Sequence, residues 1–214
     1  MLKPRIPIAL EGWPFILLAG FATLLAAILG FLLPTLLLLA LTIFILWFFR
    51  DPERVAPPEG DVLVSPADGK VILIERIFDD RFVKDHVYKL SIFMNIFNVH
   101  VNRFPFPGRV ERIVYTPGAF YSADSVRGAL KNESCGVVAD AGNGRKLAVV
   151  QVAGLIARRI VCWAEPGDQL GRGQRFGLIR FGSRVDLYLP LSTQLEVEVG
   201  RKVKAGESVL GYLS

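Results

Sequence analysis

"PGDQLGRGQRFG", residues 166–177, returns in altered form as "VGRKVKAGESVLG", residues 199–211. Gly167 and Gly173 fall on Gly200 and Gly206, and each copy ends on a further glycine after a short apolar stretch. Glycines so placed supply the positive φ that sharp corners between short strands require. Two such corners, with the turn "SPADGKV" at residues 65–71, predict a mainly β domain: a compact β-sandwich or barrel-like body of short-strand hairpins.

The segments around these corners agree. "DVLVSPADGKVILIERI" (61–77) reads as strand, turn, strand. "VYKLSIFM" (87–94), "RVERIVYTPG" (109–118), "KLAVVQVAGLIA" (146–157) and "QLEVEVG" (194–200) are β-branched or aromatic runs bounded by turn residues. "FGLIRFGSRVDLYLP" (176–190) reads as two strands joined in a hairpin turn by Gly182-Ser183. "SADSVRGALKNES" (122–134) is the one candidate for a short helix in this part.

Ahead of this domain lies a different composition. From Trp13 to Phe49 there is no charged residue. The run exceeds the roughly 20 residues of one membrane span, and Pro34 with Gly30 divides it. Two helices near 13–32 and 35–49 are expected, forming a hairpin that crosses or re-enters a bilayer. Lys3 and Arg5 before it and Arg50 and Arg54 after it place both ends on the cytoplasmic side. The run is too long for a cleaved signal peptide, and no small-residue cleavage site follows it. The layout expected is a membrane hairpin over 1–50, a Pro-rich charged linker over 51–60, and a β domain over 61–214.

The formal net charge is +5. No basic run or basic-aromatic motif points to nucleic acid, and beside a membrane hairpin the charge favours an anionic lipid surface. Cys135 and Cys162 are too far apart in sequence for a C-x-x-C pair and suggest neither a metal site nor a disulfide framework.

His86 follows the polar "RFVKD" and reads as a surface or loop residue. His100 lies in "SIFMNIFNVHVNRFPFPG", among strand-like residues and just before Asn102 and Arg103. A histidine can deprotonate a serine hydroxyl when a carboxylate orients it. Asp68, His100 and Ser183 are candidates for such a set, although an Asp-Gly pair is also an ordinary turn. There is no G-x-S-x-G elbow, no cluster at metal-ligand spacing and no phosphate-binding glycine loop. A non-enzymatic reading also exists: a membrane-anchored barrel-sandwich adaptor or carrier, for which Lys70 in "ADGKV" is the one candidate attachment lysine.

Taken in order, "FFRDPERVAP", "SPADGKV", "NVHVNRFPFPG", "VYTPGAF", "KNES" and "FGSRVDLYLP", with "GRKVKAGESVLGYL" at the end, resemble the phosphatidylserine decarboxylases, in the short form often called archaeal-type. The resemblance implies a precursor that cleaves itself between Gly182 and Ser183 into chains 1–182 and 183–214, which stay associated. It implies that Ser183 becomes a pyruvoyl group: the hydroxyl attacks the Gly182 carbonyl, β-elimination leaves dehydroalanine, and water replaces nitrogen as ammonia. It implies pyruvate as the cofactor, forming a Schiff base with the serine amine of an anionic aminophospholipid, with no pyridoxal phosphate and no metal. Phosphatidylserine or the ether-linked archaetidylserine is the substrate to expect, and the cytoplasmic face of the cell membrane the location, anchored by residues 13–49. His100, oriented by Asp68, is the expected base.

This chain departs from the larger bacterial members in two places. Arg103 stands where they carry a second histidine, and Phe181-Gly182-Ser183-Arg184 replaces Leu-Gly-Ser-Thr. Arg103 and Asn102 are therefore candidates for binding the substrate carboxylate or phosphate.

Overall fold

The structure is a computed structural model and describes residues 7–58, 60–119, 121, 132–154, 160–180 and 183–213. It divides into two compact units, Met1–Glu53 and Arg54–Ser214.

In the first unit a 3-10 turn, Leu10–Gly12, runs into α1 (Trp13–Ile28), and α2 (Leu32–Phe48) returns antiparallel to it. The break falls at Gly30, at φ +75°, not at Pro34. Pro34 sits in the first turn of α2, where its missing N–H would have had no intrahelical partner; α2 thus starts earlier than the expected residue 35. The ends are tied by Ala9 N–H to the Phe49 carbonyl and Asp51 N–H to the Pro7 carbonyl, both 2.8 Å. Between the helices the Thr23 and Thr42 hydroxyls meet at 3.1 Å. Leu17, Leu18, Phe21, Leu36 and Leu37 point outward and are exposed. Leu10–Ile28, 19 residues, is long and apolar enough to cross a membrane, and Leu32–Phe48 is shorter.

The second unit is mainly β, as its glycine corners predict. Its strands are β1 (Val62–Val64), β2 (Gly69–Asp79), β3 (Asp85–Met94), β4 (Val101–Arg103), β5 (Gly108–Thr116), β6 (Ser134–Asp140) and β7 (Lys146–Ala153), followed by β8 (Ile160–Cys162), β9 (Gln169–Leu170), β10 (Arg175–Ile179), β11 (Ser183–Pro190), β12 (Thr193–Leu195), β13 (Lys202–Val203) and β14 (Val209–Leu213). An eight-stranded curled sheet has the order β13-β2-β3-β11-β7-β6-β5-β9. Two three-stranded sheets, β1-β14-β12 and β4-β10-β8, complete the unit.

These orders are two copies of one pattern. β1, β2, β3, β14 and β13 correspond to β4, β5, β6, β10 and β9, and a pseudo-two-fold passes between β11 and β7. The glycine repeat is its most local expression. Gly167 and Gly173 have φ of +98° and +73°; Gly200 and Gly206 have +99° and +74°. Gly167 and Gly200 donate to the carbonyls of Val110 and Val71, each at 2.8 Å. Gly173 and Gly206 donate to those of Phe104 and Ser65, at 2.8 and 2.7 Å. Val64 N–H reaches the Pro105 carbonyl as Arg103 N–H reaches that of Pro66. The register shifts at Val71/Leu73 in β2 and Val110/Arg112 in β5 also match. One copy is therefore β4–β10 entire; the other is split, β1–β3 before it and β11–β14 after it.

This arrangement corrects the reading of residues 176–190 as a hairpin. β10 pairs with β4 and β8, whereas β11 pairs with β3 and β7. The two strands alternate as hairpin strands do, but they belong to different sheets, because β11 is where the chain re-enters its first copy. β11 lies at the centre of the large sheet with apolar side chains on both faces. Leu63, Ile92, Phe104, Phe176 and Leu187 pack on one side, and Phe82, Val138, Val150 and Tyr188 on the other. "QLEVEVG" forms strand only in its first residues, as part of β12, and most of the helix candidate at 122–134 lies outside the described residues.

Candidate active site

Ser183 is the first residue of β11. It is fully buried, opposite Met94 on β3 and Ala153 on β7. Its hydroxyl contacts the Met94 sulfur at 3.4 Å. Among the described residues the ladder against β3 runs unbroken from Ser183 to Pro190. Gly182 lies outside the described residues.

His100 precedes β4 and is buried, 2% exposed. Its main-chain carbonyl accepts from Ile179 N–H at 3.3 Å, which sets it beside the end of β10, a few residues ahead of Ser183. Its Nδ1 is 2.9 Å from the Asn98 carbonyl. A carbonyl can only accept, so Nδ1 carries the hydrogen and Nε2 is the basic nitrogen. His86, by contrast, lies on β3, exposed and edge-on to Phe78.

Asp68 closes the Ser65-Pro66-Ala67 turn, and both of its oxygens accept twice. Oδ1 takes Arg54 Nη1 at 2.5 Å and Ala205 N–H at 2.9 Å. Oδ2 takes Arg54 Nη2 at 2.9 Å and Val99 N–H at 3.4 Å. Arg54 adds a third bond, to the Ala205 carbonyl at 2.8 Å. Asp68 thus grips the backbone next to His100, while the Nδ1 hydrogen of the ring goes to Asn98. Bidentate guanidinium–carboxylate pairs of this kind are the stronger charge-assisted hydrogen bonds. From sequence Arg54 counts only as a flanking charge after the hairpin, and no local spacing ties it to Asp68.

Asn102 and Arg103, the two substrate candidates, are both buried. Asn102 Oδ1 accepts from Gln151 Nε2 at 2.9 Å, and Arg103 Nη1 donates to the Gly173 carbonyl at 2.9 Å. Gln151 has no part in the sequence-level motif, yet a glutamine inside the apolar run "LAVVQVAG" is itself a signal.

Cys135 on β6 and Cys162 on β8 are free thiols. A hydrogen bond between them, with burial, pushes the Cys135 thiol up, and the same bond pulls Cys162 below the ordinary thiol range. Among the described residues no group of three or more His, Cys, Asp or Glu side chains stands together as a metal site. Lys70 lies within the β2 ladder, paired with Phe93 and Lys202, and not at the exposed hairpin tip that a carrier lysine needs.

Comparison with known proteins is consistent throughout. Residues 41–211 match the family model described as phosphatidylserine decarboxylase. A phosphatidylserine decarboxylase proenzyme of Desulfotalea psychrophila is 57% identical over 213 residues, covering 100% of both chains. Proteins of the same description from a Geobacter species and from Syntrophotalea carbinolica are 50% and 49% identical, each covering 97% of both chains. With matches of this extent, the chain belongs to the phosphatidylserine decarboxylase family and is an enzyme of that family.

Proposed function

We propose that this protein converts phosphatidylserine to the ethanolamine phospholipid, after cutting its own chain between Gly182 and Ser183 and turning Ser183 into a pyruvoyl group. The observation that carries this reading is the place of Ser183. It opens the central strand β11, with β3 and β7 on either side. A new chain end formed there stays pinned by two ladders, so residues 183–214 remain with residues 1–182 after the cut.

In the cleavage, Ser183 Oγ adds to the Gly182 carbonyl carbon. The C–N bond breaks as the C–O bond forms, and the hydroxyl proton passes by way of His100 Nε2 to the Ser183 nitrogen. Asp68 holds Val99 and with it the strand entry on which His100 sits. Elimination across Cα–Cβ then frees the Gly182 carboxylate, and water displaces ammonia. Once present, the pyruvoyl group supplies a keto function for the substrate amine and an electron sink for decarboxylation. The residues here fit it: Ser183 belongs to the one Gly-Ser pair in the sequence, and the strand order holds it fully buried. Arg103 is assigned to the anionic headgroup, and the hairpin over 13–49 to the membrane, with both its ends on the cytoplasmic face.

Intact-mass measurement on the purified, folded protein tests this directly. Two chains are expected, the smaller beginning with pyruvoyl in place of serine. A single full-length species that still decarboxylates phosphatidylserine would exclude the mechanism.

A further inference from the structure

Gln151 stands in the middle of β7 and is fully enclosed. Its Nε2 donates to Asn102 Oδ1, and its Oε1 is buried with no hydrogen-bond partner among the described residues. Asn102, equally enclosed, turns its own N–H toward the Met94 sulfur at 3.7 Å. A thioether is a weak acceptor, so the Gln151 oxygen lacks a partner and the Asn102 N–H has a poor one. Reversing either amide does not mend this, because one shared hydrogen bond cannot satisfy both groups. Buried polar groups left short in this way cost stability.

The deficit lies beside one reacting atom. Ser183 Oγ contacts the same Met94 sulfur that receives the Asn102 N–H. Gln151 is opposite Val185 in the β7–β11 ladder, so its side chain leaves the sheet on the face that Val185 and Ser183 share. On β10, Gly177 makes room for it: a Cβ there would lie 2.8 Å from Gln151 Nε2 and collide with the Val161 carbonyl.

We propose that Asn102 is the hydrogen-bond donor to Oγ of residue 183 in the elimination step, and that Gln151 is a positioning residue that acts through Asn102. The inference rests on the self-cleavage reading above. After the acyl shift, Oγ is an ester oxygen. Elimination removes the Cα proton to a base, forms the Cα–Cβ double bond and breaks Cβ–Oγ. The electron pair of that bond stays on oxygen, which leaves as part of the Gly182 carboxylate. An N–H aimed at that oxygen stabilises the charge as it develops. In the precursor the sulfur occupies this donor, and a soft, weakly accepting partner is readily left for an anionic oxygen.

The test is the Asn102→Leu/Gln151→Met double variant, made as the full chain and followed by denaturing gel with and without hydroxylamine. It is expected to melt no lower than the wild type, since both partners are replaced by apolar groups of similar shape. It is also expected to mature at least tenfold more slowly. The ester should then accumulate, and hydroxylamine should split it into a small chain that begins with serine. Gln151→Met added to Asn102→Leu should slow maturation no further than Asn102→Leu alone. A double variant that matures at the wild-type rate overturns the proposal. So does one that melts well below the wild type, which would make the pair a core support. A wild-type protein that itself remains one chain under these conditions sinks the self-cleavage reading, and this inference with it.

Discussion

Arg54 holds Asp68 through both ends of its guanidinium, Nη1 to Oδ1 at 2.5 Å and Nη2 to Oδ2 at 2.9 Å, with 7% and 12% of the two side chains exposed. Removing one partner of a buried ion pair costs about 3–5 kcal/mol, because the other charge stays buried. For a chain of this length that corresponds to a fall in Tm on the order of 10 °C. Arg54→Met should show such a fall in a thermal melt. Arg54→Lys should lose less, keeping the charge without the fork geometry.

Asp68→Asn keeps the shape of the carboxylate but gives Arg54 a neutral partner, and one of its ends becomes a donor facing other donors. Cleavage should slow, by tenfold or more, because Val99 and the strand entry at His100 lose their anchor. A time course of processing on a denaturing gel measures this. Unchanged processing would remove Asp68 from the cleavage machinery.

Ser183→Ala removes the attacking oxygen and little else. The site is fully buried between Met94 and Ala153, and alanine fits a strand position of that size. The variant should stay one chain, melt within about 1 kcal/mol of the wild-type precursor, and release no carbon dioxide from phosphatidylserine.

The two thiols should differ in reactivity. Cys162 is pulled down by its hydrogen bond with Cys135, and Cys135 is pushed up by the same bond and by burial. At any pH below the ordinary thiol range Cys162 therefore has the larger thiolate fraction, and the thiolate is the nucleophile. Limited alkylation with iodoacetamide near neutral pH, followed by peptide mass mapping, should label Cys162 first. Cys162→Ser should leave Cys135 slow to react.

The hairpin prediction is tested by flotation with vesicles of zwitterionic lipid, which removes the attraction of the basic β domain for an anionic surface. The full chain should float with the vesicles. A chain lacking residues 1–53 should remain below, since the outward leucines and phenylalanines of α1 and α2 are then absent.

Much of the fold can be read along the chain because its causes are local. The positive φ at Gly167, Gly173, Gly200 and Gly206 follows from residue type and spacing, and so the sharp corners of both copies were legible. The uncharged run from Trp13 to Phe49 likewise declares two apolar helices, although Gly30 and not Pro34 sets the break. Ser183, His100 and Asp68 came from motif order, which names residues without giving their partners.

What the chain could not disclose is long-range pairing. Alternation on either side of Gly182-Ser183 is the same whether the strands pair with each other or with strands far away. Only the split repeat shows that β10 and β11 part into different sheets, leaving Ser183 at the head of the central strand. Arg54 meets Asp68, and Gln151 meets Asn102, across separations for which sequence periodicity carries no signal. Side-chain period and turn chemistry act over a few residues and are written in the chain. Which buried donor meets which acceptor is settled by sheet order and register, and those exist only once the whole domain has packed.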